Sequence, residues 1–345
     1  LQATYALIPE ERQFELKTET LESSSLSANS ILIEAEASAV SPGTELAIFT
    51  ASIPGIRQPG RWSSYPCRPG YSCVGRVLEK GAEVEQVAVG DRVFTYGHHA
   101  SHQIYEMADR KAAYVIPDDL SFVNASMLRL GIISQSAPAV TEIKMGDTVA
   151  IFGLGVIGNI AAQLYRMLGA RVIGFDPIPQ RCELAQKVGI EQAFSVPAAE
   201  QVTIVKALTD GKGAEITVDA VGHGAVIQNC VQATASKGQI ILLGSPRAPY
   251  EGNITQAFRD IHLRWLTMRG ALDLPLPPYP TFGVDQSIQD VIDTLVKAIN
   301  QGHLDLDSLI SHVIAPKELG TAYTGLLDQK DSYSGVVVDW SQLNR

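Results

Sequence analysis

The stretch "TVAIFGLGVIGNIAAQLYRMLGARVIGFD", residues 148–176, decides the fold. A run of branched apolar residues breaks at Gly153, Gly155 and Gly158, resumes with helical spacing, and leads to a second apolar run ending on Asp176. The order is strand, tight turn, helix, strand, with the glycines spaced G-x-G-x-x-G. Gly153 permits the turn, Gly155 lets backbone approach a pyrophosphate, and Gly158 lets the helix pack on the strand. The first N–H groups of that helix, at Val156 and Ile157, offer partial positive charge to the phosphates. An acid at the place of Asp176 accepts hydrogen bonds from the adenosine ribose hydroxyls and repels a 2′-phosphate, so the stretch predicts NAD(H) in preference to NADP(H). The bland alternative is a domain of the same shape that has lost its ligand.

Outward from this stretch the same grammar continues. "ITVDAVG" and "QIILLG" are further short apolar runs separated by helix-length segments. Strands buried on both faces and joined by helices make a parallel sheet. Before about Ser121 the character differs: "SILIEAEASAV", "SCVGRVLEKG" and "VGDRVFTYG" read as strands and turns, with the loop "SIPGIRQPGRWSSYPCRPG" between them. Near Gly270 the parallel-sheet pattern stops at "DLPLPPYPTFG", and a helix and a strand follow. The expected organisation is a β-rich domain over 1–120, a dinucleotide domain of Rossmann type over 121–270, and a return segment over 271–345.

Bulk numbers exclude several classes. Hydrophobic residues make up 46% and charged residues 19% of 345, a globular balance. A net charge of −10 argues against a nucleic-acid or anionic-membrane surface. No apolar run is long enough to span a bilayer. The start shows no basic segment followed by an apolar one, so no secretory signal is expected. Four cysteines make no disulfide framework, which points to a reducing, cytoplasmic setting.

Taken in order, "VGDRVF", "GDTVAIFGLGVIG", "RVIGFDPIPQRCELAQKVGI", "GAEITVDAVG" and "KGQIILLGSPR" resemble the medium-chain dehydrogenase/reductases, relatives of zinc alcohol, sorbitol and threonine dehydrogenases. The resemblance implies a GroES-like β-rich catalytic domain interrupted by the Rossmann domain. It also implies a dimer or tetramer and a small-molecule substrate. Arg181, Val221, Gly244 and Ser245 would complete the contacts to the cofactor. Zinc members carry three metal ligands, and here their places hold Pro42, Tyr71 and, near the third, Leu130. A catalytic zinc needs three N, S or O donors plus an open position, so no metal is expected. Cys67, Cys73, His98, His99 and His102 fit no standard zinc spacing. "SPGTELAIFTASIPG" and "YPCRPGYSCVGRV" look most similar to a zinc-lacking branch that includes the bacteriochlorophyllide hydroxyethyl dehydrogenases.

Without a metal, something else must hold the substrate oxygen and move its proton. Thr44 stands at the relay place of the matched motif, or is a turn hydroxyl. Tyr71 stands at the missing histidine, as a donor to the substrate oxygen or as a plug in the vacant cavity. Glu45 is expected behind them, as partner of a basic residue. His99, with His98 as fallback, is expected as a catalytic or substrate-orienting group, or else as a solvated loop histidine. The reading is a zinc-independent, NAD-dependent secondary-alcohol dehydrogenase. An enoyl or quinone reductase and a non-catalytic nucleotide-binding regulator are the rivals.

Overall fold

The computed structural model describes residues 1–108, 111–273 and 275–343. The chain forms two compact units. Leu1–Arg129, Leu276–Asn300 and Leu309–Arg345 make the first; Leu130–Pro275 and Gln301–Ser308 make the second.

The first unit is β-rich. Strands β1 (Gln2–Leu7) and β2 (Glu15–Thr20) form a hairpin. Five more follow: β3 (Ser30–Ala39), β4 (Cys73–Lys80), β5 (Arg92–Thr95), β6 (His102–Glu106) and β7 (Ala113–Val115). Helix α1 (Pro42–Phe49) leaves the end of β3, with Pro42 in its first turn, where a missing N–H costs nothing. β3 is the hub of this sheet. It pairs antiparallel with β4 and β6, so its "SILIEAEASA" is buried at most positions rather than on one face alone.

The second unit holds β8 (Thr148–Phe152), β9 (Arg171–Phe175), β10 (Gln192–Phe194), β11 (Ala214–Asp219), β12 (Thr234–Leu242) and β13 (Thr267–Gly270). All pairings are parallel, in the order β10-β9-β8-β11-β12-β13. β8 is buried at every residue, which is why "TVAIF" carries no polar alternation. The chain then returns to the first sheet through β14 (Ile310–Ile314) and β15 (Gly335–Asp339), with β15 antiparallel to β3. The protein is thus an α/β chain with a β-rich unit and a parallel-sheet unit of Rossmann type.

The unit boundaries differ in detail from residues 120 and 270. Helix α2 (Phe122–Ser126) packs on β3 and β4, which keeps the chain in the first unit as far as Arg129. Residues 301–308 join the second unit although no apolar pattern marks them. There the Gln163 side chain donates to the Asp305 carbonyl at 3.0 Å and accepts from the Asp305 N–H at 2.8 Å.

Candidate functional site

In the Rossmann unit, β8 runs into the glycine turn and then into a helix over Val156–Met167. Gly153 adopts φ +102°, a region side chains disfavour, and its N–H bonds the Phe175 carbonyl at 2.7 Å. A Cβ on Gly158 would lie 1.9 Å from the Gly153 oxygen, so only glycine lets this helix sit so close to the turn. Gly155 precedes the helix with no side-chain cap, and Val156 and Ile157 open its first turn. Such N–H groups have no partner within the helix and suit an anion.

Asp176 follows β9 and is 2% exposed. One carboxylate oxygen accepts from the Leu154 N–H at 2.9 Å, the other from the Ile178 N–H at 3.0 Å. Asp176 therefore braces the glycine turn itself. Arg181 lies 3.5 Å from it, and the same guanidinium is the nearest group to the open side of Gly155. Asp219, ending β11, holds the next turn by accepting from the Val221 and Gly222 N–H groups at 2.9 Å. Val221 is exposed on that turn, and Gly244 and Ser245 lie against it beyond β12. These residues fit a bound dinucleotide: a glycine turn, bare helix N–H groups, and an acid and a cation beside them.

The β-rich unit assembles a second cluster. Glu45 in α1 and His99 in the loop before β6 are both fully buried. Glu45 Oε2 accepts from His99 Nε2 at 2.9 Å and from the Tyr323 hydroxyl at 2.6 Å; Oε1 accepts from the Ser41 N–H at 2.7 Å. The other imidazole nitrogen meets Ser38 Oγ at 2.7 Å, and Ser38 Oγ accepts from Trp340 Nε1 at 2.9 Å. Indole N–H only donates, so Trp340 fixes one acceptor site of Ser38 Oγ, and Glu45, as a carboxylate, accepts from His99 Nε2. Gly70 makes room for this loop: a Cβ there would lie 2.7 Å from the His99 nitrogen, which itself donates to the Pro69 carbonyl.

On the outer side of the cluster, the Tyr71 hydroxyl bonds Ser41 Oγ and also Thr44. Tyr71 is half-buried, and burial of the hydroxyl raises its pKa above the ordinary phenol value, so it stays protonated at neutral pH. The guanidinium of Arg129 lies 6.0 Å from the Tyr71 ring centre.

The structure thus brings Thr44, Glu45 and Tyr71 together and sets His99 behind them. His99 was expected to act on substrate from a loop. It is fully buried rather than solvated, and its two ring nitrogens are hydrogen-bonded to Ser38 and Glu45. His98 is exposed, with Nδ1 3.0 Å from the Gly70 carbonyl. Ser38, Ser41, Tyr323 and Trp340 were not anticipated.

Pro42 and Leu130 donate nothing, and among the described residues no group of three or more His, Cys, Asp or Glu is placed to hold a metal. Burial pushes the Cys67 thiol up to about 11 and the Cys73 thiol up to about 12, so neither presents a thiolate.

Residues 27–118 match the alcohol dehydrogenase GroES-like domain and residues 156–273 the zinc-binding dehydrogenase family. The chain belongs to the medium-chain dehydrogenase/reductase superfamily. It is an oxidoreductase, and members of this superfamily use nicotinamide cofactors. D-guloside 3-dehydrogenase of Shigella flexneri is 27% identical over 89% of this chain and 91% of its own length. An alcohol dehydrogenase from Escherichia coli CFT073 complexed with NADH shares the fold at TM-score 0.80 and 17% identity, covering 98% of this chain and 99% of that one. A dehydrogenase from Sinorhizobium meliloti 1021 bound to NADP shares it at TM-score 0.78 and 19% identity, with the same coverage. Among the described residues no helix is long and apolar enough to cross a membrane.

Proposed function

We propose that this chain is a zinc-independent, NAD-dependent dehydrogenase that interconverts a secondary alcohol, a polyol or sugar derivative, and its ketone. The observation that carries the reading is the Tyr71 phenol, held by Ser41 and Thr44 at the place where zinc relatives have a metal ligand. The glycine turn, the helix start at Val156 and Ile157, Asp176, Arg181, Val221, Gly244 and Ser245 would hold the dinucleotide, which supplies or accepts the hydride. Tyr71 would donate a hydrogen bond to the substrate oxygen and pass its proton, with Thr44 as relay. Glu45, tied to His99, fixes the Ser41 backbone from behind. Likeness to D-guloside 3-dehydrogenase supports a sugar derivative as substrate. Oxidation of NADH is to be compared on a panel of ketones and a panel of enones. Turnover confined to enones would replace this reading with an enoyl or quinone reductase.

Two expected results follow from the site. Purified protein should carry no stoichiometric zinc, and chelators should leave turnover intact; elemental analysis showing one zinc per chain, lost together with activity, overturns the zinc-free reading. NADH should bind about tenfold more tightly than NADPH. Arg181 screens Asp176 at 3.5 Å, so the repulsion of a 2′-phosphate is weaker than that of a lone carboxylate. Asp176→Ser should close the gap, measured by fluorescence titration. Equal binding of both cofactors to the native protein would remove this role from Asp176.

The same reading includes a homo-oligomer in the cytoplasm. β13 ends the sheet, and Phe258, Trp265, Met268 and Leu272 stand exposed on it or near it in sequence. An open strand edge with apolar neighbours supports pairing with a second copy. Light scattering that returns a monomer at working concentration overturns that part. The four unpaired cysteines support the reducing setting.

A further inference from the structure

We propose that Arg129 supplies, at the Tyr71 phenol, the positive charge that the metal supplies in zinc relatives. This rests on the proton role given to Tyr71 above. Arg129 lies in helix α3 (Leu128–Ala139), immediately before Leu130 at the third metal place. Its guanidinium is stacked 4.2 Å from the Tyr96 ring centre and stands 6.0 Å from that of Tyr71. Stacking on Tyr96 fixes the planar cation, and Arg keeps its charge at every working pH.

The charges around the Tyr71 phenol come from two elements. α1 and Ser41 just before it contribute the Glu45 carboxylate, which opposes a phenolate, and the Ser41 and Thr44 hydroxyls, which favour one. α3 contributes Arg129, which favours one and reaches Tyr105 on β6 as well. A phenol buried beside a carboxylate is a poor acid, and the Arg129 charge opposes part of that effect.

In ketone reduction, a bound reduced dinucleotide would supply the hydride pair to the carbon, and the carbonyl π pair would move onto oxygen. That oxygen takes the Tyr71 proton, leaving a phenolate that solvent reprotonates. Negative charge passes from substrate oxygen to phenol oxygen, and a fixed cation stabilises it through the transfer without reorganising. Arg129 is therefore a positioning and electrostatic residue acting through Tyr71.

The test uses the full chain grown with 3-fluorotyrosine. The fluorine resonance of Tyr71 is assigned by its loss in Tyr71→Phe and followed against pH. Arg129→Met should move its titration to higher pH, and Arg129→Lys should restore most of that shift. On the best ketone of the panel, Arg129→Met should lower kcat at least about tenfold, with KM less affected, and guanidinium ion should recover part of the loss. NADH binding in each variant checks the fold. A Tyr71 titration indifferent to Arg129 overturns the proposal, and so does a shifted titration with unchanged kcat. If the parent reduces no ketone, the functional reading fails, and with it the use of this charge in catalysis, while the titration still decides whether the charge reaches the phenol.

Discussion

Tyr71→Phe is expected to lower turnover at least about tenfold while NADH affinity and melting temperature stay near the parent values. The substitution keeps the ring, so the contact with Arg129 and the filling of the cavity survive. It removes only the hydroxyl that bonds Ser41 and Thr44. Removing a positioned general acid costs about 10²–10⁴ in rate, whereas trimming a packing group appears mainly in stability. The two roles of Tyr71 are therefore separated by one oxygen atom. The raised phenol pKa gives the sign of the pH response. Ketone reduction needs the protonated phenol, so it should hold through neutral pH and fall only on the alkaline side. Tyr71→Phe should remove that alkaline limb along with the rate. A fully active Phe variant would leave the tyrosine as a plug, and the proton would pass through Thr44, Ser41 or water.

The fold was legible because its decisive signals are local. A run of four apolar residues, three glycines at fixed offsets and a helical repeat lie within 29 consecutive positions, Thr148 to Asp176. Steric demands at Gly153 and Gly158 act between near neighbours, so the sequence displays them directly. Long-range chemistry was not displayed. Tyr323 is 278 residues from the carboxylate it bonds, and Trp340 is 302 residues from Ser38. Both sit in apolar surroundings that read as plain core. His99 misled for the opposite reason. "TYGHHASH" looks like a solvated loop, and its burial is decided elsewhere, by the Pro69–Gly70 backbone lying against it. Sequence placed a carboxylate and an imidazole in the right neighbourhood, and three-dimensional packing set their order of approach.

That packing makes the Glu45–His99 pair the point where the β-rich unit is most vulnerable. Glu45→Ala strands three buried donors, on His99, Tyr323 and the Ser41 backbone. Each buried donor left without an acceptor costs about 1–3 kcal/mol, so a loss of at least about 3 kcal/mol is expected. His99→Ala removes one of the three donors to the buried Glu45 carboxylate and one of the two partners of Ser38, and a buried polar group left without a partner costs about 1–3 kcal/mol. Both variants should therefore unfold at distinctly lower denaturant, and both should lose turnover as Ser41 and Tyr71 drift. A histidine acting only on substrate would behave otherwise, losing rate at unchanged stability. Glu45→Gln distinguishes hydrogen bonding from charge. Its amide oxygen can keep the two donors on His99 and Tyr323 while its NH2 group faces the Ser41 N–H, so its stability should fall between Ala and the parent. Urea unfolding of the three variants, followed by tryptophan fluorescence, reads this directly, since Trp340 is hydrogen-bonded to the same network. An unfolding midpoint for His99→Ala equal to the parent's would mean that the imidazole does not brace Glu45, and the catalytic role given to it from sequence would return.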